Sequence, residues 1–255
     1  MRRLIPAISI ALAATLVAGC NTNSGTPAAS GSSAAPSASK LEPVAAITQG
    51  MDRSLAGTLT MDASVKAGNQ SVTVTGKMDT AARTLQATGK APEPIEARII
   101  GDTAYIKSDS ADGGKPWMKI DLTKLRPNSS LRQSFDLKAQ TGLIGGVVSA
   151  QEVGDGRYTG VADLEKAAAA ASTDGGMRAG LESTAKLAKD AKAIPFEATV
   201  DADGRLTALS YTIATKTLGD LVTEMRMSDF GKPVTVEAPP AGETEAAAED
   251  MYKFL

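Results

Sequence analysis

The residue types that carry most enzyme chemistry are thinly represented in this chain, which has a single cysteine and no histidine in 255 residues. Without imidazole there is no Ser-His-Asp triad, no Cys-His pair and no histidine zinc site, so a general base would have to be a carboxylate. Asp201-Ala202-Asp203-Gly204 has the spacing that opens a calcium loop, but the third oxygen ligand and the closing glutamate are missing. These four residues therefore read as a hairpin turn. Gly176 and Gly180 share a GxxxG spacing without the Lys-Ser/Thr sequel of a phosphate loop. No catalytic residue, metal site or cofactor is expected, and an enzymatic role is not predicted. Cys20 is the one side chain whose position asks for chemistry.

Its neighbours say which. Arg2 and Arg3 precede an apolar run over residues 4–17 that closes on Ala18 and Gly19. The run is shorter than the roughly 20 apolar residues a membrane span needs, and its charge and small-residue flanks are those of a secretory leader. Val17-Ala18-Gly19-Cys20 resembles the lipobox of bacterial lipoproteins. That resemblance implies a leader over residues 1–19, cleavage before Cys20, and a diacylglyceryl group on its sulfur. Two acyl chains, at about 0.8 kcal/mol per buried methylene, hold where one would exchange. The expected location is the extracytoplasmic face of the cell membrane, with Cys20 as the lipid anchor and membrane lipid as a partner through it.

Residues 21–40 are almost entirely Ser, Ala, Gly, Thr and Pro. Such a composition cannot bury enough apolar surface to offset its ordering entropy, which predicts a disordered tether with a reach of roughly 25 Å. The remaining chain is long enough for one domain with a sizeable core, and without a second cysteine its fold rests on packing. Basic residues number 27 against 29 acidic, and they are scattered along the sequence. Neither nucleic acid nor an anionic membrane surface is expected as a partner on that basis.

Local periodicity then divides the chain. Leu41, Val44, Ile47, Met51 and Leu55 recur at helical spacing, with Pro43 suited to the first turn. Leu59, Met61, Ala63 and Val65 alternate with polar residues, as do Val72, Val74, Gly76 and Met78 beyond a turn at Gly68-Asn69, which predicts a β-hairpin with one apolar face. Further strands are expected over residues 84–88, 95–100, 103–107 and 117–120 in an antiparallel meander. Residues 130–148 read as one or two helices, 157–162 as a strand, and 163–171 and 176–192 as helices, Asp163 serving as N-cap. Strands return over 195–200, 205–214 and 223–230, and residues 239–255, acidic and alanine-rich, read as a mobile tail.

Two β runs enclosing a helical middle predict an α+β domain over residues 41–238, a curved antiparallel half-barrel with helices covering its concave face. Within it, Asp102-Thr103-Ala104-Tyr105-Ile106-Lys107, the segment Lys115 to Asp121, Asp203-Gly204-Arg205-Leu206 and the run Met227 to Pro239 carry a resemblance to the LprG/LppX lipoproteins of the actinobacterial envelope. These share their architecture with the LolA and LolB carriers. The resemblance implies an acylated lipid held between sheet and helices. Alternation places Leu59, Met61, Ala63, Val72, Val74, Ala97, Ile99, Met225 and Met227 on the lining, with Ala87, Ala198 and Met78 on the same face. Small side chains and unbranched methionines leave or adapt to such a space, although methionines on a strand face are more often plain core. Trp117 and Tyr105 read as half-buried packing residues rather than a cavity mouth. Lipid binding or transfer therefore stands beside a second reading, a surface adaptor or sensor accessory that binds another envelope protein.

Overall fold

The computed structural model describes residues 42–253 apart from 92, 108–115, 127–128, 130–141 and 172–175. Cys20, the expected leader and the tether lie outside the described residues. Lys40–Leu255 forms one compact unit, and every strand pairing and hydrophobic cluster described below belongs to it.

Helix α1 (Pro43–Ser54) has proline in its first turn and turns Ala46, Ile47, Met51 and Ser54 inward, at the spacing its sequence period requires. Gly50 lets it approach closely, since a Cβ there would lie 3.2 Å from the Leu206 nitrogen. The buried Ser54 hydroxyl donates to the Leu206 carbonyl at 2.7 Å. Beyond α1 run β1 (Thr58–Ala67), β2 (Gln70–Asp79), β3 (Thr84–Ala91), β4 (Glu93–Ile100), β5 (Thr103–Lys107) and β6 (Trp117–Asp121). A 3-10 turn, Gly142–Gly146, leads into β7 (Val147–Gly154) and β8 (Arg157–Ala162). Helices α2 (Leu164–Ala170) and α3 (Gly176–Leu187) follow, then β9 (Ile194–Val200), β10 (Leu206–Ala214), β11 (Asp220–Ser228) and β12 (Thr244–Ala246).

The strands form one curved, unclosed sheet of 12 in the order β12-β6-β5-β4-β3-β2-β1-β11-β10-β9-β8-β7. All neighbours are antiparallel except β12, which runs parallel to β6. The protein is thus a mostly-sheet α+β fold whose two β runs meet where β1 pairs with β11.

Local chemistry accounts for the joints. Asp163 caps α2, its Oδ1 accepting from the backbone nitrogens of Glu165 (2.8 Å) and Lys166 (3.2 Å). Asp201 closes the β9–β10 turn by accepting from the nitrogens of Asp203 (3.0 Å) and Arg205 (2.8 Å), which is the hydrogen bonding of an Asx turn.

Three elements depart from the sequence reading. Residues 147 and 148 open a strand instead of closing a helix; 130–141 lie outside the described residues. Helix α3 stops at Leu187, because Ala188 bridges to Thr215 and the Lys189 nitrogen donates to the Ala214 carbonyl at 2.8 Å. The end of the chain is docked rather than loose: β12 pairs with β6, the Ala247 nitrogen donates to the Lys119 carbonyl at 2.8 Å, and the Tyr252 hydroxyl accepts from the Asp121 nitrogen at 3.0 Å.

Candidate functional site

Register decides which side chains share a face. In the β11-β1-β2-β3-β4 direction, Met225 faces Ala63, Ala63 faces Val74, Val74 faces Gly89, and Gly89 faces Ile95. At strand spacings of about 4.8 Å this uninterrupted apolar row is roughly 19 Å wide. A parallel row runs Met227, Met61, Gly76, Ala87, Ala97, Ile106 and Met118. Val65 and Val72 pair one step nearer the β1–β2 turn. The opposite face of the same strands carries Thr60, Asp62, Ser64 and Lys66 on β1 and Thr73, Thr75 and Lys77 on β2.

One end of the apolar face is filled. Leu59, Met78 and Met227 are buried in a core with Ile47, Met51, Leu55, Phe196, Leu206 and Leu209, where α1 lies on the sheet. Ile99 belongs to a smaller core with Ala104, Ile120, Leu122, Leu125 and Ala247. The other end is open. Val65, Val72, Val74 and Ile95 are between 38% and 43% exposed, while Met61, Ala63, Ala97 and Met225 are half-buried. Helical cover therefore reaches only part of this face among the described residues.

All the residues expected to line a cavity share this face, but they do two different jobs. Leu59, Ile99 and Met227 pack into cores, and Ala198 joins them. Ala63, Val72, Val74 and Ala97 form or border the uncovered rows, while half-buried Met61 and Met225 lie between the two, packed against the larger core. The expected lining leaves out Gly89 and Ile95, and also Val65, which alternation places on the apolar face of the hairpin. Gly89 is shaped by its surroundings, since a Cβ there would sit 2.6 Å from the Thr73 carbonyl oxygen. It keeps the row flat where any other side chain would crowd the strand beside it.

Trp117 lies on the polar face, 3% exposed. The Arg98 guanidinium stacks on its ring at 4.7 Å and the Lys107 ammonium lies 5.9 Å away. Arg98 also pairs with Glu96 at 2.8 Å and donates to the Glu237 carbonyl at 3.0 Å, tying the chain beyond β11 across this face. Half-buried Tyr105 faces Arg98 from β5. Both aromatics are structural.

A shallow concavity of about 310 Å³ lies among β8, β9, β10 and β11, bordered by Arg157, Glu197, Glu224 and Arg226. Its lining is about equally polar and apolar, with Val153, Leu209 and Met225 beside the charged groups, and it meets the apolar rows only at Met225. Among the described residues, no cluster of three or more acidic or thiol side chains could hold a metal ion, and no helix is long and apolar enough to cross a membrane.

No family model matches the chain, and neither does any curated protein. Among solved structures it is similar to an uncharacterized conserved protein from Thermus thermophilus, with a TM-score of 0.38 at 8% identity over 79% of this chain and 97% of that one. A second is MucB in complex with MucA(peri), with a TM-score of 0.31 at 12% identity over 81% of this chain and 60% of that one. At these scores neither likeness carries a statement about function.

Proposed function

We propose that this chain is a lipoprotein, held on the extracytoplasmic face of the cell membrane by acyl groups on Cys20, that binds acylated lipid on its apolar sheet face. It works without catalysis, in the manner of the LprG/LppX lipoproteins it resembles. The observation that supports this reading is the open end of that face, where Val65, Val72, Val74 and Ile95 stay exposed beside Ala63, Gly89 and Ala97. Soluble domains seldom leave a contiguous apolar surface of this kind without an occupant. An acyl chain laid across the rows would exclude water from them, each covered methylene contributing about 0.8 kcal/mol. The residues at 63, 87, 89 and 97 are alanine or glycine, which add little side-chain bulk to this face.

Native mass spectrometry of Lys40–Leu255 from an actinobacterial host, with organic extraction of any ligand, tests this reading. A stoichiometric acylated adduct, lost in Ala63→Phe or Ala97→Phe, is the expected result. A clean apo mass would favour the alternative, in which the same face binds another envelope protein.

A further inference from the structure

We infer that one end of the domain is a docking rim for an anionic lipid bilayer. Three segments distant in sequence meet there. The β1–β2 turn touches the β10–β11 turn, with the Gly68 Cβ direction 4.0 Å from the Leu218 carbonyl oxygen and Ala67 paired with Leu221. The end of α3 joins them: Ala188 bridges to Thr215, the Lys216 nitrogen donates to the Leu187 carbonyl at 2.9 Å, and Lys216 Nζ donates to the Lys186 carbonyl at 2.8 Å.

This end presents two kinds of side chain together. Leu218 is 53% exposed and Leu187 38%, at the tips of a turn and a helix where no packing requires them, and Val65 and Val72 stand exposed beside the neighbouring turn. Around them Lys66, Lys186, Lys189 and Lys216 are all exposed. The acidic groups at the same end are Asp190, which accepts from the Lys192 nitrogen, Glu165, which pairs with the Lys192 ammonium at 3.4 Å, and Asp220; with Lys66, Lys186, Lys189 and Lys216 beside that pair, the rim is locally basic on a chain whose formal charge is -2. Basic residues scattered in sequence are thus gathered by the fold. Exposed leucines flanked by lysines match an interface with apolar tails beneath anionic headgroups. An aqueous protein partner offers no such layering. The rim is also continuous with the site proposed above, because the Val65–Val72 pair is both part of the rim and the last pair of the apolar rows. If the lipid-binding reading holds, an acyl chain rising from the bilayer meets that face directly.

The test is flotation of Lys40–Leu255 with vesicles of phosphatidylcholine, with and without phosphatidylglycerol. Binding is expected only to the anionic vesicles and is expected to weaken with salt. Substituting Lys186→Gln, Lys189→Gln and Lys216→Gln should reduce affinity about fivefold for each lysine removed. Leu187→Ser with Leu218→Ser should reduce it further, whereas Val153→Ser, at an equally exposed valine of β7, should leave it unchanged. Circular dichroism confirms that each variant is folded. Equal binding to neutral vesicles, equal losses in the Val153 control, or self-association through the same leucines without vesicle binding would overturn the inference. A protein that carries an acylated ligand yet ignores vesicles would overturn the rim alone. One that docks through the rim and carries no ligand would leave the rim standing and remove the proposed cargo.

Discussion

Gly89 sits directly opposite Val74 on the neighbouring strand, and the space where its side chain would begin is 2.6 Å from the Thr73 carbonyl oxygen. An added methyl must therefore push β2 and β3 apart. Gly89→Ala is expected to lower stability by about 1–3 kcal/mol, the usual cost of overpacking, in a thermal or urea unfolding series.

The uncovered rows should respond differently. Val74→Ser removes an exposed apolar side chain, so its effect on unfolding is expected to stay within about 0.5 kcal/mol while the yield of acylated adduct falls. Met227→Ala, at a buried position on the same face, should instead cost about 2–5 kcal/mol whether or not ligand is present. Comparing the two by calorimetry and native mass spectrometry separates lining from core.

Much of this face was legible because strict alternation over β1 and β2, broken at Gly68-Asn69, names both the strands and the side they bury. The Asp163 cap and the Asp201 turn were legible for the same reason: each is a local hydrogen-bonding device within a few residues of chain. β7 was not. Its register shifts between Val147 and Ser149 and again between Glu152 and Gly154, so bulges interrupt the alternation that would have marked a strand. The adjacent pair Val147-Val148 imitates a helical face instead. The rim lysines and β12 were illegible for a deeper reason, since both depend on contacts between segments far apart in sequence.

In the proposed lipoprotein reading, anchoring rests on one atom, the Cys20 sulfur. Cys20→Ser is expected to abolish the diacylglyceryl mass increment and release the mature protein from the membrane fraction, read by intact-mass measurement and fractionation. Retention of the substituted protein in the membrane after cleavage at an alternative site would oppose the lipoprotein reading.

The Asp201 turn should be visible in acid. Burial alone pushes its carboxyl up, but the hydrogen bonds from the Arg205 backbone and guanidinium, the Arg205 charge and the Asp203 nitrogen outweigh this and hold it below its ordinary value of 3.8. A depressed carboxylate contributes stability that is present above its unfolded pKa and is lost as pH falls through the folded one. Asp201→Asn should therefore cost about 1 kcal/mol near neutral pH, and the difference from wild type should shrink below about pH 4. An equal difference at all pH values would assign the effect to geometry instead of charge.

The docked C-terminus predicts its own phenotype. Ending the chain after Pro240 removes β12, Ala247 and Tyr252, with the Lys124–Glu249 ion pair, and bares the backbone edge of β6. Lower thermal stability and concentration-dependent association, seen by light scattering, are the expected outcomes.

Among the described residues, the two hydrophobic cores share a single side chain, Leu85 of β3. The sheet is consequently built like a pair of boards joined along one spine, each stiffened by its own filling. β3 is therefore the strand at which the two fillings meet, so a change of side-chain volume at Leu85 is felt by both of them at once.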